Sequence, residues 1–469
     1  MKSSLSDAAM SSRAGNRRRV ALVVGAVASF AIFLDTTIVN LALPTLSHHF
    51  RASRSSIEWV IDAYTLAFGA IMLSAGVMAD RYGARRVFIP GAAIFAIASI
   101  GCALAETITI VNIFRLIQGT GAAMLLPSSL RLATQYRTDS HSRRAAVSLW
   151  AAAGGVGMAA GPLIGGLIVT GLGWRWIFLI NVLVSGGAIA LALGLEPSTR
   201  QKRVRTDITG QIAATVTIGC LVFILVEGPH LGWTAPLLIG AMAVLVVALL
   251  SLVSVERRTP QPLIPPRLVA QREFMGSALL GALFNLAFYG VLFALSLLFQ
   301  DVKGESALDA GVHLLPLTGL IFVGSLLAPR IARSSNTNQV LYIGQTCFAV
   351  GVLASIVTAP LAPSWPLALS LLPVGLGGGL LVPTMTTRML ESLPPDLSGV
   401  AGGAFNTSRQ LGGAIGVAIF GLLLGPTTHL QAGFTVCLVA SLVCIGASAG
   451  LTFILLRRNS SHSSPLAIE

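Results

Sequence analysis

An ionisable side chain interrupts the apolar stretch Leu34-Asp35-Thr36-Thr37-Ile38-Val39-Asn40-Leu41-Ala42-Leu43-Pro44. The surrounding segment, residues 20–43, is long enough to cross a bilayer, because roughly 20 apolar residues that each rise about 1.5 Å span the hydrocarbon core. A charged aspartate at that depth costs on the order of 3 kcal/mol, so its side chain must face a polar interior. We therefore predict that Asp35 is a functional residue. The alternative is a structural hydrogen bond to a neighbouring helix.

The composition is that of a membrane protein rather than a soluble one. Of the 469 residues, 54% are hydrophobic and 10% are charged, and the mean hydropathy is +0.81. The net charge of +13 would suit nucleic acid only if the basic residues gathered on one soluble face, but they lie in short connections between apolar segments. The sequence thus predicts an all-α polytopic protein that contacts membrane lipids and does not bind nucleic acid.

Metal and cofactor motifs are missing from the sequence. All five cysteines fall in apolar segments without the spacing of metal ligands, so neither a disulfide framework nor a metal site is predicted. A phosphate-binding loop needs a Gly-Lys-Ser/Thr core, but the three lysines follow Met1, Gln201 and Val302. We expect no catalytic residues and no cofactor, so the free energy for any transport must come from an ion gradient such as that of protons.

Fourteen apolar segments are long enough to span a membrane. They run approximately over residues 20–43, 57–79, 87–105, 108–130, 145–170, 175–194, 208–226, 234–255, 275–299, 310–328, 339–359, 365–387, 399–424 and 433–456. Of the 31 lysines and arginines, only Arg51, Arg54, Arg175 and Lys303 fall in the connections that would be outer if both termini were cytoplasmic. The positive-inside rule therefore predicts cytoplasmic termini in the cell membrane.

An internal repeat indicates how these segments divide. A shift of 256 positions aligns Gly119, Gly121, Pro127, Gly157 and Gly165 with Gly375, Gly377, Pro383, Gly413 and Gly421. The fourth segment then matches the twelfth, so two extra segments lie between two six-helix halves. Parallel halves of this kind are typical of transporters. The predicted divisions are a tail (1–19), a first half (20–200), two additional spans (201–260), a second half (261–457) and a tail (458–469).

Three ionisable residues are predicted to lie at a common depth. Counting the helical rise from the outer end of each segment places Asp35 about 12 Å, Asp62 about 9 Å and Arg115 about 10 Å into the membrane. One guanidinium can only partly pair with two carboxylates, which leaves one carboxylate whose proton affinity depends on where the arginine points. We predict that this group couples protons to transport. The alternative is a static triad of ion pairs.

The connection between the second and third segments has a distinctive spacing of glycines and charges. It contains Gly76, Asp80, Arg81, Gly83, Arg85 and Arg86. On physical grounds this is a tight hairpin whose arginines hold it at the inner surface. The spacing also resembles the cytoplasmic gating signature of the major facilitator superfamily, although Ala84 stands where a basic residue is usual.

Further stretches extend this resemblance. The run from Arg115 to Gly121 resembles the fourth-span motif in which the arginine is associated with proton coupling. A glycine-rich run resembles the fifth-span motif of the exporters, with Gly157, Gly161, Pro162, Gly165 and Gly166. Glycines at four-residue spacing also predict close packing between helices. Together with residues 34–44 and fourteen spans, these stretches resemble the drug:proton antiporter family, and the resemblance implies a major facilitator fold of two six-helix halves plus two central spans.

A second polar patch is predicted in the other half. Asn406, Arg409 and Gln410 are three and four residues apart and share one helix face. Arg409 also lies near the predicted cytoplasmic end of its span, so the alternative is that it extends to the membrane surface.

The sequence as a whole favours a monomeric, proton-coupled exporter of lipophilic drugs, antibiotics or toxic compounds. The alternative is a transporter of one physiological metabolite such as a sugar or an amino-acid derivative, which should show a more polar binding site. Asp35, Asp62 and Arg115 leave one net negative charge, so we expect the substrate to be a monovalent lipophilic cation or a neutral compound, with dications exported poorly.

Asp80→Asn is predicted to slow the exchange between inward-facing and outward-facing states more than it weakens substrate binding. The reason is that the hairpin lies about a bilayer thickness, roughly 30 Å, from the proposed site. Binding affinity and turnover measured in the same reconstituted sample test this, and an equal loss of both would contradict it.

Overall fold

The computed structural model describes residues 2–136, 139–196, 208–259, 266–334, 336–361, 363–391, 398–425 and 430–460, and helices account for most of these ranges. The long helices are α1 (Lys2–Phe50), α2 (Arg54–Tyr82), α3 (Ala84–Ala103), α4 (Ile108–Thr134), α5 (Ser140–Gly171), α6 (Trp176–Leu193), α7 (Ile208–Leu231), α8 (Pro236–Arg258), α10 (Arg272–Leu297), α11 (Ala307–Ser334), α12 (Thr337–Thr358), α13 (Trp365–Glu391), α14 (Ser398–Leu424) and α15 (Leu430–Ser460). A four-residue helix, α9 (Pro266–Val269), precedes α10, and a π-helical turn, Leu298–Val302, follows it.

The chain reverses direction where the sequence supplies capping residues. Ser53, Thr107 and Asp139 precede α2, α4 and α5, and each side chain accepts a hydrogen bond from the backbone N–H three residues on. Such bonds satisfy N–H groups that have no partner within the first helical turn. Gly83 joins α2 to α3 with a φ of 93°, a left-handed value that glycine adopts without strain.

Thirteen helices in the described ranges are long and apolar enough to cross a membrane. The remaining long helix, α2, has 29 residues, and Glu58 and Asp62 make it more polar than the others. At about 1.5 Å per residue its length exceeds the hydrocarbon thickness. The structure therefore agrees with the predicted fourteen spans and confirms an all-α polytopic membrane protein.

The helices pack as two bundles that meet along two lines of contact. In the first, α1 packs on α4, α5 and α6, while α4 also packs on α2 and α3. In the second, α10 packs on α14 and α15, and α13 packs on α11 and α12. The main contacts between the bundles are those of α2 with α14 and of α5 with α11, and α1 also contacts α10, where Ser296 donates to the carbonyl of Asn40. The predicted division points near residues 200 and 260 fall outside the described residues, so they stay predictions.

The two central helices attach to the first line of contact. α7 packs on α8, α2 and α14. Its Glu227 accepts a hydrogen bond of 2.8 Å from the indole N–H of Trp59 on α2. Near the other end of α7, Gln211 forms hydrogen bonds with Ser74 and the backbone of Ala70. α8 mostly presents apolar side chains outward, so among the described helices the main contacts of the pair with both bundles are those of α7.

Glycines bring α5 into close contact with its neighbours. A Cβ at Gly157, Gly161 or Gly165 would overlap or crowd α1, and one at Gly166 would crowd the start of α11. The contact of Gly157 is with the backbone of Phe30, which cannot turn aside as a flexible side chain can. The hydroxyl of Thr37 also donates to the carbonyl of Met158 at 3.3 Å. The exporter-like motif therefore joins α1 and α5 through their backbones.

Gly157→Ala should lower the thermal stability of the protein. Overpacking costs about 1–3 kcal/mol, and the higher helix propensity of alanine returns at most about 1 kcal/mol of it. Gly186→Ala on α6 is the matched control, because nothing lies within 4 Å of a Cβ at that glycine. Melting temperatures of both purified variants test this expectation. An equal shift in melting temperature in the two variants would mean that the close contact between α5 and α1 does not contribute to stability.

Candidate functional site

Asp35 is the acceptor in a fully buried hydrogen-bond network. Its side chain is 0% exposed. Oδ2 accepts from Arg115 Nη1 at 2.7 Å, and Oδ1 accepts from Asn181 Nδ2 at 2.6 Å and from Gln118 Nε2 at 3.2 Å. One guanidinium and two amides thus donate to this carboxylate. Donors of this kind stabilise a buried carboxylate charge that would otherwise be costly.

Arg115 is held in place by three further contacts. Its Nε donates to the carbonyl of Val60 on α2 at 2.9 Å, and its Nη1 donates to Gln118 Oε1 at 2.7 Å. The guanidinium also lies over the ring of Tyr64, 4.1 Å from the ring centroid. Gln118 donates in turn to Ser99 on α3 at 2.8 Å. The network therefore joins α1, α2, α3, α4 and α6.

Asp62 lies apart from this network. It is 0% exposed, and neither carboxylate oxygen has a hydrogen-bond partner within the described ranges. Successive helical residues turn by about 100°, so Asp62 points roughly 200° away from Tyr64, which faces Arg115. The structure therefore brings together Asp35 and Arg115 but leaves Asp62 separate. The three residues were predicted at one depth, but depth alone does not determine the direction in which each side chain points.

Asp62 belongs to a stripe of α2 that faces α14. Residues 58, 62, 65 and 69 follow each other at helical spacing. At one end Glu58 contacts Gly421 of α14, and at the other end Gly69 lies against Gln410 and accepts a 3.0 Å hydrogen bond from Thr407. We call this contact between α2 and α14 the seam. An unpaired charge here would be buried without compensation, at a large desolvation cost.

The second polar patch lies partly at the seam. Arg409 Nε donates to Asn285 Oδ1 on α10 at 3.4 Å, and Nη1 donates to Asn406 Oδ1 at 3.5 Å. Among the described residues no carboxylate forms an ion pair with Arg409. Of the three predicted residues, Gln410 reaches the seam, whereas Asn406 and Arg409 face α10 and their own helix.

The hairpin residues lie where α2 ends and α3 begins. Arg85 Nη2 donates to the carbonyl of Leu193 at 2.9 Å, which ties the hairpin to the end of α6. Arg81 lies over the ring of Tyr82, and Arg86 is exposed. Gly76 lies within 4.0 Å of Pro127 on α4, measured from an added Cβ. Asp80 is in α2, but its side chain lies outside the described part of the chain.

Sequence reasoning missed two residues of this region. Asn181 is the one amide side chain in α6, and this isolated polar group in an apolar span was a usable signal. Glu58 lies close to the start of α2, yet it is 1% exposed. Only the packing of α14 over it explains its burial.

Comparison with known proteins identifies the family. The profile of the Major Facilitator Superfamily matches residues 25–417. The methylenomycin A resistance protein of Bacillus subtilis is 33% identical over 429 residues, which cover 91% of this chain and 92% of that protein. The methylenomycin A resistance protein of Streptomyces coelicolor is 32% identical, with 87% and 86% covered. The tetracenomycin C resistance and export protein of Streptomyces glaucescens is 30% identical, with 86% and 75% covered.

A solved structure shares the fold. The crystal structure of a mutant of the peptide transporter POT in complex with alafosfalin superposes with a TM-score of 0.67 at 15% identity, covering 92% of this chain and 93% of that one. The predicted fold and the predicted family are both confirmed. The chain belongs to the Major Facilitator Superfamily and is a membrane transporter rather than an enzyme.

Proposed function

We propose that this protein exports lipophilic drugs, antibiotics or other toxic compounds across the cell membrane in exchange for protons. The observation that carries the proton-coupled part is the carboxyl of Asp62, which is buried without a partner while the other deep aspartate is already paired. The names of the relatives support the export of antibiotics, since they refer to methylenomycin resistance and to tetracenomycin export. The proton gradient replaces any cofactor, and the protein acts as a monomer with both termini in the cytoplasm.

Alternating access gives the two aspartates different tasks. While the seam is closed, the carboxyl of Asp62 is shielded from water and is protonated. When α2 and α14 separate, water reaches the carboxyl, which loses its proton and can then balance a cationic substrate. The pair of Asp35 and Arg115 keeps α1, α2 and α4 in register during this motion. A change in the position of Arg115 would move α2 and therefore Asp62, because Arg115 binds the backbone of Val60 on the same helix.

The proposed substrate is a monovalent lipophilic cation or a neutral lipophilic compound. A buried site accepts positive charge only to the extent that carboxylates compensate it. A transporter of one polar metabolite is the competing function. Susceptibility profiling of cells that lack or overexpress the protein separates the two, since export of drugs changes resistance to several unrelated compounds and transport of one metabolite does not.

Asp35→Asn and Asp62→Asn should both abolish pH-driven efflux but should have opposite effects on stability. The first removes the counterion of Arg115, and breaking a buried ion pair costs about 3–5 kcal/mol. The second replaces an unpaired buried carboxyl with an amide of the same size, so the melting temperature at neutral pH should stay the same or rise. Dye efflux from inverted vesicles and melting of the purified proteins provide the two measurements.

Asp309→Asn is the control for both variants, because Asp309 lies in the first turn of α11, where its side chain bonds Ser306 and is accessible to water. It should retain efflux. Wild-type efflux in Asp35→Asn, or a loss of stability in Asp62→Asn as large as that in Asp35→Asn, would contradict the assignment of these two roles.

A further inference from the structure

Glu58 lies one helical turn from Asp62 on the stripe of α2 that forms the seam. Its side chain is 1% exposed, and its Oε1 has no hydrogen-bond partner in the part of the chain that the structure describes. Two carboxyl groups are thus buried four residues apart, and residues at this spacing are neighbours on a helix surface. Neither belongs to the network around Asp35.

α14 covers the carboxyl of Glu58 directly. A Cβ at Gly421 would overlap the carboxyl group, so the carboxyl lies directly against the backbone of α14. One turn farther out, Arg54 Nη1 donates to the carbonyl of Gly425 at 2.6 Å. Deeper in the seam, Thr407 donates to Gly69. Hydrogen bonds across the seam therefore lie on both sides of the two carboxyls and close them off from water.

The charged groups around the two carboxyls form no ion pair with either of them among the residues described. On α2, the positive charge of Arg54 acts on Glu58, but the hydrogen bond described for its guanidinium goes to the carbonyl of Gly425. On α7, Glu227 adds a further negative group and is occupied by Trp59.

The cations of the other neighbouring helices face elsewhere. Arg115 on α4 pairs with Asp35 of α1, and Arg409 on α14 is turned to Asn285. Arg85 and Arg86 of α3 lie at the opposite end of α2. The imidazole of His48 lies 3.6 Å from Asp301, in the π-helical turn after α10, and the negative charge of Asp301 also acts on Arg54.

We propose that Glu58 and Asp62 form a two-proton site, with both carboxyls protonated while the seam is closed and both protons released when α14 moves away. The physical reason is that two unpaired carboxylates, one turn apart and sealed from water, would carry a large desolvation cost and would repel each other. Each release breaks one O–H bond and transfers one proton to water. The transport consequence rests on the proposed function, whereas the protonation of the site does not.

Two protons change the charge balance of transport. Exchange of two protons for one monovalent cation moves one net positive charge against the direction of export. The membrane potential then drives export as well as the pH difference does. Two carboxylates would also compensate a dication, so a two-proton site removes the charge argument against dications. A dication exchanged for the same two protons would move no net charge and would gain nothing from the potential.

Infrared difference spectroscopy of the purified full-length protein in lipid nanodiscs tests the site without a substrate. The C=O stretch of a protonated carboxyl is separate from the bands of a carboxylate. Between acidic and alkaline pH, the wild type should lose two such bands from the seam. Glu58→Gln should remove one band and Asp62→Asn the other. In each variant the remaining carboxyl should lose its proton at a lower pH than the second of the two protons in the wild type, since only that second step is opposed by the charge of the neighbouring carboxylate.

Glu227→Gln is the matched control, because it removes a nearby carboxyl that already has a hydrogen-bond partner, and it should leave both bands unchanged. If Glu58→Gln does not fold, Glu58→Asp keeps the carboxyl and should shift one band. A wild-type spectrum without protonated carboxyls, or one unchanged by Glu58→Gln, would overturn the proposal. If a band is missing but proton-driven efflux occurs, the two-proton site is wrong and the proposed function stands. If both bands are present but no efflux occurs, only the proposed function is wrong.

Discussion

The buried ion pair between Asp35 and Arg115 is the interaction on which the rest of the site depends. A charge in the membrane interior is stable only with a partner, and Asp35 and Arg115 are partners of each other. The pair fixes the direction of Arg115 toward α1, and the amides of Gln118 and Asn181 complete the shell around the carboxylate. Because this guanidinium is occupied, the carboxyl of Asp62 is left without a cation.

The helices meet through two kinds of contact. Within the first bundle, α5 and α1 meet through glycines and backbone, which places the two helices in close contact. Between the bundles, the seam contains carboxyls whose charge state decides whether the contact is stable. A seam that is stable only when its carboxyls are neutral provides a physical link between proton binding and the opening of the transporter. α7 contacts both sides of this seam and so keeps α8 attached to both bundles.

The sequence was sufficient for the fold, because the number of spans follows from segment length and the rise per residue. The common depth of the three charged residues stays a prediction. The sequence was not sufficient for their pairing. The side chains of Asp62 and Arg115 point in different directions around their helices, and only the packing of α1, α2 and α4 shows that they do not meet. The burial of Glu58 depends on a glycine more than 300 positions away, Gly421, and no local pattern contains that information. The sequence correctly predicted that α2 is a helix, even though Glu58 and Asp62 lower its hydropathy.

The response of export to membrane potential tests the account most directly. Proteoliposomes are loaded with ethidium, a monovalent lipophilic dye, and given a potential that is negative on the cytoplasmic side, with equal pH on both sides. The account predicts that this potential alone drives ethidium export by the wild type and fails to do so in Glu58→Gln, which would exchange one proton for one cation. Export by the wild type that responds to a pH difference but not to the potential would contradict it.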